Sequence, residues 1–315
     1  MIRAVTCACR DSLAEMVRLP SGLQLVHCRA CDLYARREAP APRALELFYE
    51  QEYTRQFAAE QSGPRDNLQA HALRRIESRA ARFRGVCDHR PGARRFLIDV
   101  GCGNGRLLEL AQQAGWSVMG LDPSGDRNGK RRTGGIEIRQ AAWPLTDISG
   151  HSADAIVFLN VLDHLPDPFT ALQAAWRVLR PGGILYLRVP NGPFHLRLLT
   201  GRWSRMLSTM TVFHLYGFGR RSLQHFLTRA GFERIDIRTA PLSEGDAYAN
   251  GEAGGMVRTL AKQALKVGYG LSACLGLDRL PWGPSIEALA SKPEQAHGDV
   301  AHAGNLVDAG DGAGR

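Results

Sequence analysis

The chain has 315 residues, 44% of them hydrophobic, and a formal net charge of +9, enough apolar material for one sizeable core with additions. No apolar run approaches the roughly 18 residues of a membrane span and the start lacks the apolar stretch of a signal peptide, so the expectation is a soluble, cytoplasmic protein. The basic balance suits an anionic partner, which leaves nucleic acid, nucleotide-linked or carrier-linked small molecules and peripheral contact with an anionic membrane all open. Seven cysteines in such a compartment point to metal or thiol use rather than to disulfides.

In chain order, Cys7 and Cys9 are followed by Cys28 and Cys31. Four thiolates in two close pairs can span a Zn²⁺ tetrahedron, and so short a segment needs such a staple, although the first pair is tighter than the usual spacing. Residues 1–38 are therefore read as a zinc-binding module with a closed, structural metal. A Pro/Ala link, Ala39 to Pro42, leads into a helical cap over residues 39–95. There Leu45, Phe48 and Tyr49 share a face, and Asp66 starts a helix whose Leu73, Ile76, Ala80 and Phe83 recur at spacings of three and four. Arg74, Arg75, Arg79 and Arg82 take the opposite face, and the cap is expected at the sheet edge beside the ligand mouth.

From Phe96 the pattern alternates strand and helix, which predicts a parallel sheet covered on both faces. Strands are predicted over Phe96–Val100, Ser117–Leu121, Ile136–Arg139, Ala155–Leu159, Ile184–Val189, Phe232–Arg238 and Ser285–Ser291. A helix carrying Phe169, Leu172, Trp176 and Leu179 stops at Pro181-Gly182-Gly183. The first strand runs through Asp99 into Gly101, Gly103 and Gly105, glycines that allow positive φ and let backbone lie against a ligand; the loop is expected to aim amide N–H groups at it. A dinucleotide fingerprint would need a glycine where Arg106 stands, and Gly125 to Arg131 lacks the spacing and hydroxyl of a P-loop.

The run Asp99-x-Gly101-x-Gly103-x-Gly105, with Asp122 closing the second strand, resembles the cofactor site of class I S-adenosylmethionine-dependent methyltransferases. The resemblance implies a Rossmann-like seven-stranded sheet over residues 96–292, its last strand antiparallel, with an insertion at 241–284. It also implies that Asp99, Gly101, Gly103 and Gly105 meet the methionine end and ribose, that Asp122 holds the ribose, and that Pro123 and Ser124 lie by the adenine. After the third strand the family often has an acid for the adenine amine, whereas this chain reads Ala141-Ala142-Trp143; backbone at Ala142 would serve, with Trp143 packed nearby. Cys28-Arg-Ala-Cys31 is similar to a knuckle of the zinc-ribbon segment found ahead of some sugar-directed members.

Asn160 falls at the carboxyl end of the fourth strand, where open sheets bind ligands, and is expected among the cofactor-binding residues; His164 follows in its loop. A second resembling stretch, His214 to Phe232, places His214 where the family has a histidine. Removing an acceptor proton is work for which histidine suits, so His214 is the first candidate base and His164 the second. In the insertion Met256, Leu260, Ala264, Val267, Leu271 and Leu275 form a helical stripe, and residues 293–315 read as a disordered tail. The functional expectation is methyl transfer from S-adenosylmethionine to a small or carrier-linked acceptor, such as a sugar hydroxyl or carbon. The alternatives are an RNA base methyltransferase with a zinc module and a non-catalytic cofactor-binding scaffold. Oligomeric state is not written in these patterns.

Overall fold

A computed structural model describes residues 14–19, 22–38, 44, 47, 66–82, 94–123, 136–200, 215–241, 267–268 and 283–294. Seven strands form the main sheet: β4 (Phe96–Val100), β5 (Ser117–Leu121), β6 (Glu137–Arg139), β7 (Ala153–Leu159), β8 (Leu179–Pro190), β10 (Glu233–Thr239) and β11 (Ser285–Ser291). Their order is β10-β11-β8-β7-β4-β5-β6. The pairs β4 with β5, β4 with β7, β5 with β6 and β7 with β8 are parallel, whereas β11 runs antiparallel between β8 and β10. The mixed seven-stranded sheet and its antiparallel last strand agree with the sequence-based expectation. β8 is longer than predicted, because Leu179 already pairs with Ala153.

Buried on both faces, the central strands read as continuous apolar runs. Ile98, Val100, Ile156, Phe158, Leu185, Leu187, Ile286 and Ala288 build one core with α3 (Pro168–Val178) and α5 (Arg220–Arg229). Leu97, Ala155, Val157, Ile184, Tyr186 and Leu289 build the other with α1 (Asp66–Arg82) and α2 (Arg106–Gln113). Asp167 caps α3, its Oδ1 accepting from the Thr170 amide at 3.0 Å, and Pro168 sits in the first turn.

Helix α1 lies on a sheet face rather than at the edge. Its Ala72, Leu73 and Ile76 join the second core, and two of its arginines point at the sheet. Glu287, 2% exposed on β11, takes His71 Nε2 and the Tyr186 hydroxyl at 2.8 Å each, with Arg75 Nε at 3.0 Å. Burial alone would raise that carboxyl, but these partners outweigh it and hold it below the usual range. Arg75 also reaches Asp236 at 3.0 Å, and Arg79 donates to the Arg234 carbonyl at 2.9 Å. The periodicity located the apolar stripe correctly; charges on the opposite β-strands drew in arginines expected to face water.

The N-terminal segment contains strands that its polar composition did not announce: β1 (Ala14–Arg18), β2 (Gln24–Cys28) and β3 (Leu33–Arg36). They form an antiparallel meander that continues through β3 onto β9 (Tyr216–Gly217), well inside the main domain. The second sheet is thus sewn to the first through the chain after β8. There α4 (Gly192–Thr200) begins, and the Gly192 amide donates to the Phe218 carbonyl at 2.9 Å. A Cβ on Gly192 would come within 2.6 Å of Gly217 backbone, whereas one on Gly217 would meet nothing nearer than 3.2 Å. Gly192→Ala should therefore cost about 1–3 kcal/mol by overpacking, more than Gly217→Ala does, measured by urea unfolding of both variants beside the wild type.

Of the apolar stripe only Val267 falls among the described residues, and it is exposed. The remaining stripe positions, Tyr49, Phe83 and most of the tail lie outside the described residues, although Glu294 pairs with Arg234 at 2.8 Å. Among the described residues no helix is long and apolar enough to cross a membrane.

Candidate active site

The turn after Val100 meets the end of β5 and the loop after β7. Gly101, Gly103 and Gly105 all adopt positive φ, at 68°, 50° and 74°. The Gly101 Cβ position is filled by the Val161 side chain, so the loop after β7 closes over that glycine. The nearest atom to a Cβ on Gly103 is 4.0 Å distant, which leaves backbone open to a ligand there.

The amides of this turn are directed otherwise than expected. Gly101 and Cys102 donate to the Leu121 carbonyl at 2.7 and 3.1 Å, Gly105 donates to the Cys102 carbonyl at 2.8 Å, and Gly103 donates to Asp122 Oδ2 at 2.9 Å. The loop is knitted to the end of β5, and what it offers a ligand is close backbone approach and its acids rather than a cage of N–H groups. Asp122, buried, has thereby one carboxylate oxygen fixed by the turn, with its own amide on the Arg139 carbonyl at 3.1 Å.

Asp99, 3% exposed, faces the α1 side of the sheet, and its Oδ1 is buried with no hydrogen-bond partner. Burial, with the nearby Asp122 carboxylate second, pushes its carboxyl well above the usual range. A buried carboxylate oxygen without a partner fits a cationic donor supplied by a ligand, and the amino group of S-adenosylmethionine is such a donor.

Pro123 is half-buried and its carbonyl accepts from the Gln140 side chain at 3.4 Å; Ser124 lies outside the described residues. Ala142 is exposed after β6, but Trp143 turns inward, donating from Nε1 to the Ala171 carbonyl at 2.9 Å and meeting Phe158 edge-on. Asn160 leaves β7 with a φ of 56°; its amide donates to the Arg188 carbonyl at 2.9 Å and its Oδ1 accepts from Arg188 Nη1 at 2.6 Å. His164 ends the 3₁₀ turn Leu162–His164, its Nε2 3.4 Å from Oδ2 of the buried Asp163. His214 lies outside the described residues, yet the amide of Leu215 is bonded to the Asp163 carbonyl at 2.9 Å. The two segments carrying the candidate bases are therefore anchored to each other.

Cys28 and Cys31 are both buried at the β2–β3 turn, where the Asp32 amide donates to the Cys28 carbonyl at 2.8 Å. Cys7 and Cys9 lie outside the described residues, and among those described no group of three or more potential ligands is arranged for a metal. The residue that pattern-reading missed is Arg188, buried within a strand whose neighbours are apolar. A lone arginine in Ile184–Val189 was its available signal.

A glycine turn between two acids at adjacent strand ends defines an α/β protein that receives a nucleoside-bearing cofactor at the carboxyl edge of its sheet. Residues 67–237, more than half of the chain, match the family model described as a methyltransferase domain. The chain belongs to that family. It is 32% identical over 125 residues to a ubiquinone biosynthesis O-methyltransferase of Methylococcus capsulatus, a match covering 38% of this chain and 53% of the relative. With the protein of the same description from Xanthomonas axonopodis pv. citri it shares 27% identity over 186 residues, covering 56% of this chain and 75% of the relative. The chain thus matches about half the length of the first relative and three quarters of the second. Among solved structures, an S-adenosylmethionine-dependent methyltransferase from Archaeoglobus fulgidus superposes with a TM-score of 0.46 at 19% identity, over 76% of this chain and 100% of that one.

Asp99 gives a test with a worked sign. A carboxyl raised on folding costs nothing below the unfolded value of 3.8, costs progressively more as pH rises through 3.8, and reaches its full cost above the folded pKa. Ligand-free Asp99→Asn should therefore be more stable than wild type at neutral pH, by about 1–3 kcal/mol, with the difference vanishing at acid pH. Chemical denaturation across pH measures this. The same variant should lose affinity for S-adenosylhomocysteine by calorimetry.

Proposed function

We propose that the protein transfers the methyl group of S-adenosylmethionine to an oxygen of a small or carrier-linked acceptor. The observation that carries this is the partnerless buried oxygen of Asp99 beside a glycine turn locked to Asp122. Asp99 receives the cofactor's amino group, Asp122 its ribose hydroxyls, Gly101, Gly103 and Gly105 admit it closely, and Pro123, Ser124 and Ala142 flank the adenine. Asn160, expected at the cofactor, stands at the exit of β7 between the cofactor and the acceptor side. The description of the relatives as O-methyltransferases supports oxygen over carbon as the accepting atom; a sugar hydroxyl is the narrower reading, resting on the sequence resemblance alone.

The bound cofactor supplies an electrophilic methyl group on a sulfonium. Transfer is an in-line displacement: the acceptor oxygen bonds to the methyl carbon, the carbon–sulfur pair leaves with sulfur, and the hydroxyl proton passes to a base. The chain's contribution is position and that proton. His214 is our first base. His164 beside buried Asp163 is held as a brace for the same loop. With methyl transfer followed by product detection, His214→Ala should lower turnover roughly 10²–10⁴-fold at unchanged cofactor affinity. His164→Ala should instead weaken stability or cofactor affinity along with turnover. Turnover lost only in the His164 variant would reverse the assignment, and failure of the wild type to bind S-adenosylhomocysteine would overturn the function.

We further propose one structural Zn²⁺ held by Cys7, Cys9, Cys28 and Cys31, supported by the burial of the second pair at one turn. Elemental analysis should find close to one zinc per chain, falling in Cys28→Ser and Cys31→Ser. Negligible metal in protein prepared without chelators would refute it.

A further inference from the structure

Arg188 is 2% exposed, near the carboxyl end of β8 and beside the strand exit that carries Asn160. Its Nη1 donates to Asn160 Oδ1 at 2.6 Å and its Nη2 to the Pro241 carbonyl at 3.5 Å, while Nε is buried without a partner. Both acceptors are neutral. No carboxylate among the described residues forms an ion pair with this guanidinium. Glu287 stands opposite it in the β8–β11 register, but its carboxylate is taken by His71, Arg75 and Tyr186. An arginine so deeply buried is ordinarily paired, because neutral carbonyls satisfy its protons without offsetting its charge.

The guanidinium lies among three strand exits, those of β7, β8 and β10, and Asn160, the acceptor of its Nη1, is exposed. The cofactor end of the sheet lies on the other side of β7, at the β4 turn that Val161 closes. We propose that Arg188 is the anchor for an anionic group of the acceptor, a carboxylate or phosphate that enters past Asn160 and takes the unused Nε–H with a neighbouring Nη–H in the forked geometry arginine offers to oxyanions. The inference rests on the methyltransferase reading for the word acceptor; the anion site rests on Arg188 alone.

The test uses the full chain, with inorganic phosphate and benzoate as separate probes, each at constant ionic strength. In protein labelled with ¹⁵N on arginine side chains, the Arg188 Nε–H resonance, assigned by its disappearance in Arg188→Lys, should shift saturably with at least one probe. The more tightly bound probe identifies phosphate or carboxylate as the acceptor's group. Affinity for that probe should fall at least ~10-fold in Arg188→Met, with Arg188→Lys intermediate because it keeps charge but loses the fork. Affinity for S-adenosylhomocysteine should stay within about twofold in both variants. If Arg188→Met does not fold, the wild-type resonance and Arg188→Lys still decide. Absence of a saturable shift with either anion, in protein that binds S-adenosylhomocysteine, would overturn the inference. Anion binding at Arg188 in protein that fails to bind S-adenosylhomocysteine would support the site and overturn the methyltransferase reading instead.

Discussion

Two carboxylates at the ends of adjacent parallel strands govern the site. Asp99 and Asp122 belong to β4 and the exit of β5, which lie side by side, and both are buried. Like charges so placed disfavour each other, and desolvation adds to the penalty at Asp99. The turn relieves only one of them, through the Gly103 amide on Asp122. The left-handed glycines serve that relief: a turn of ordinary residues would not present that amide to Asp122 while binding two others to the Leu121 carbonyl. What stays uncompensated at Asp99 is a demand for a cation, and stability forgone in the empty protein becomes affinity when a cationic ligand arrives.

The second organising contact ties the chain's beginning to the segment after β8 and, through Tyr216, to the loop that carries His164. β9 has only two residues, yet it lets β3 continue into the region after β8, and Gly192 and Gly217 permit the crossing by their lack of side chains. Tyr216 extends the seam, its hydroxyl donating to the Pro166 carbonyl at 2.9 Å beyond the His164 turn. The cysteine turn at Cys28 and Cys31 therefore belongs to a sheet that also carries the chain just after His214.

Legibility in the sequence followed how local each determinant is. β4, β5 and β11 have the predicted bounds because an apolar run flanked by turn residues encodes a buried strand by itself. β1 to β3 mix charged and apolar residues and gain their pairing from one another and from Tyr216–Gly217, far along the chain, so no window announces them. Asp99 and Asp122 were readable from spacing; the direction of the glycine amides was not, since it depends on which acceptors the next strand presents. Trp143 and Arg75 were misdirected for the same reason, each being captured by a partner distant in sequence.

The buried charges on the α1 face show how such capture shapes function. Glu287 and Arg188 oppose each other on antiparallel strands, and in the absence of α1 they would be natural partners. Helix α1 brings His71 and Arg75 onto Glu287 and, with the Tyr186 hydroxyl, saturates it. The guanidinium of Arg188 meets the neutral side chain of Asn160 and the Pro241 carbonyl instead. The helix that completes the second core thus also decides which of two buried charges is spent on the fold and which is kept for a ligand. The register of α1 on the sheet is held by Ala72, Leu73 and Ile76, which pack into the second core, so His71 and Arg75 reach Glu287 from a helix placed by apolar contacts.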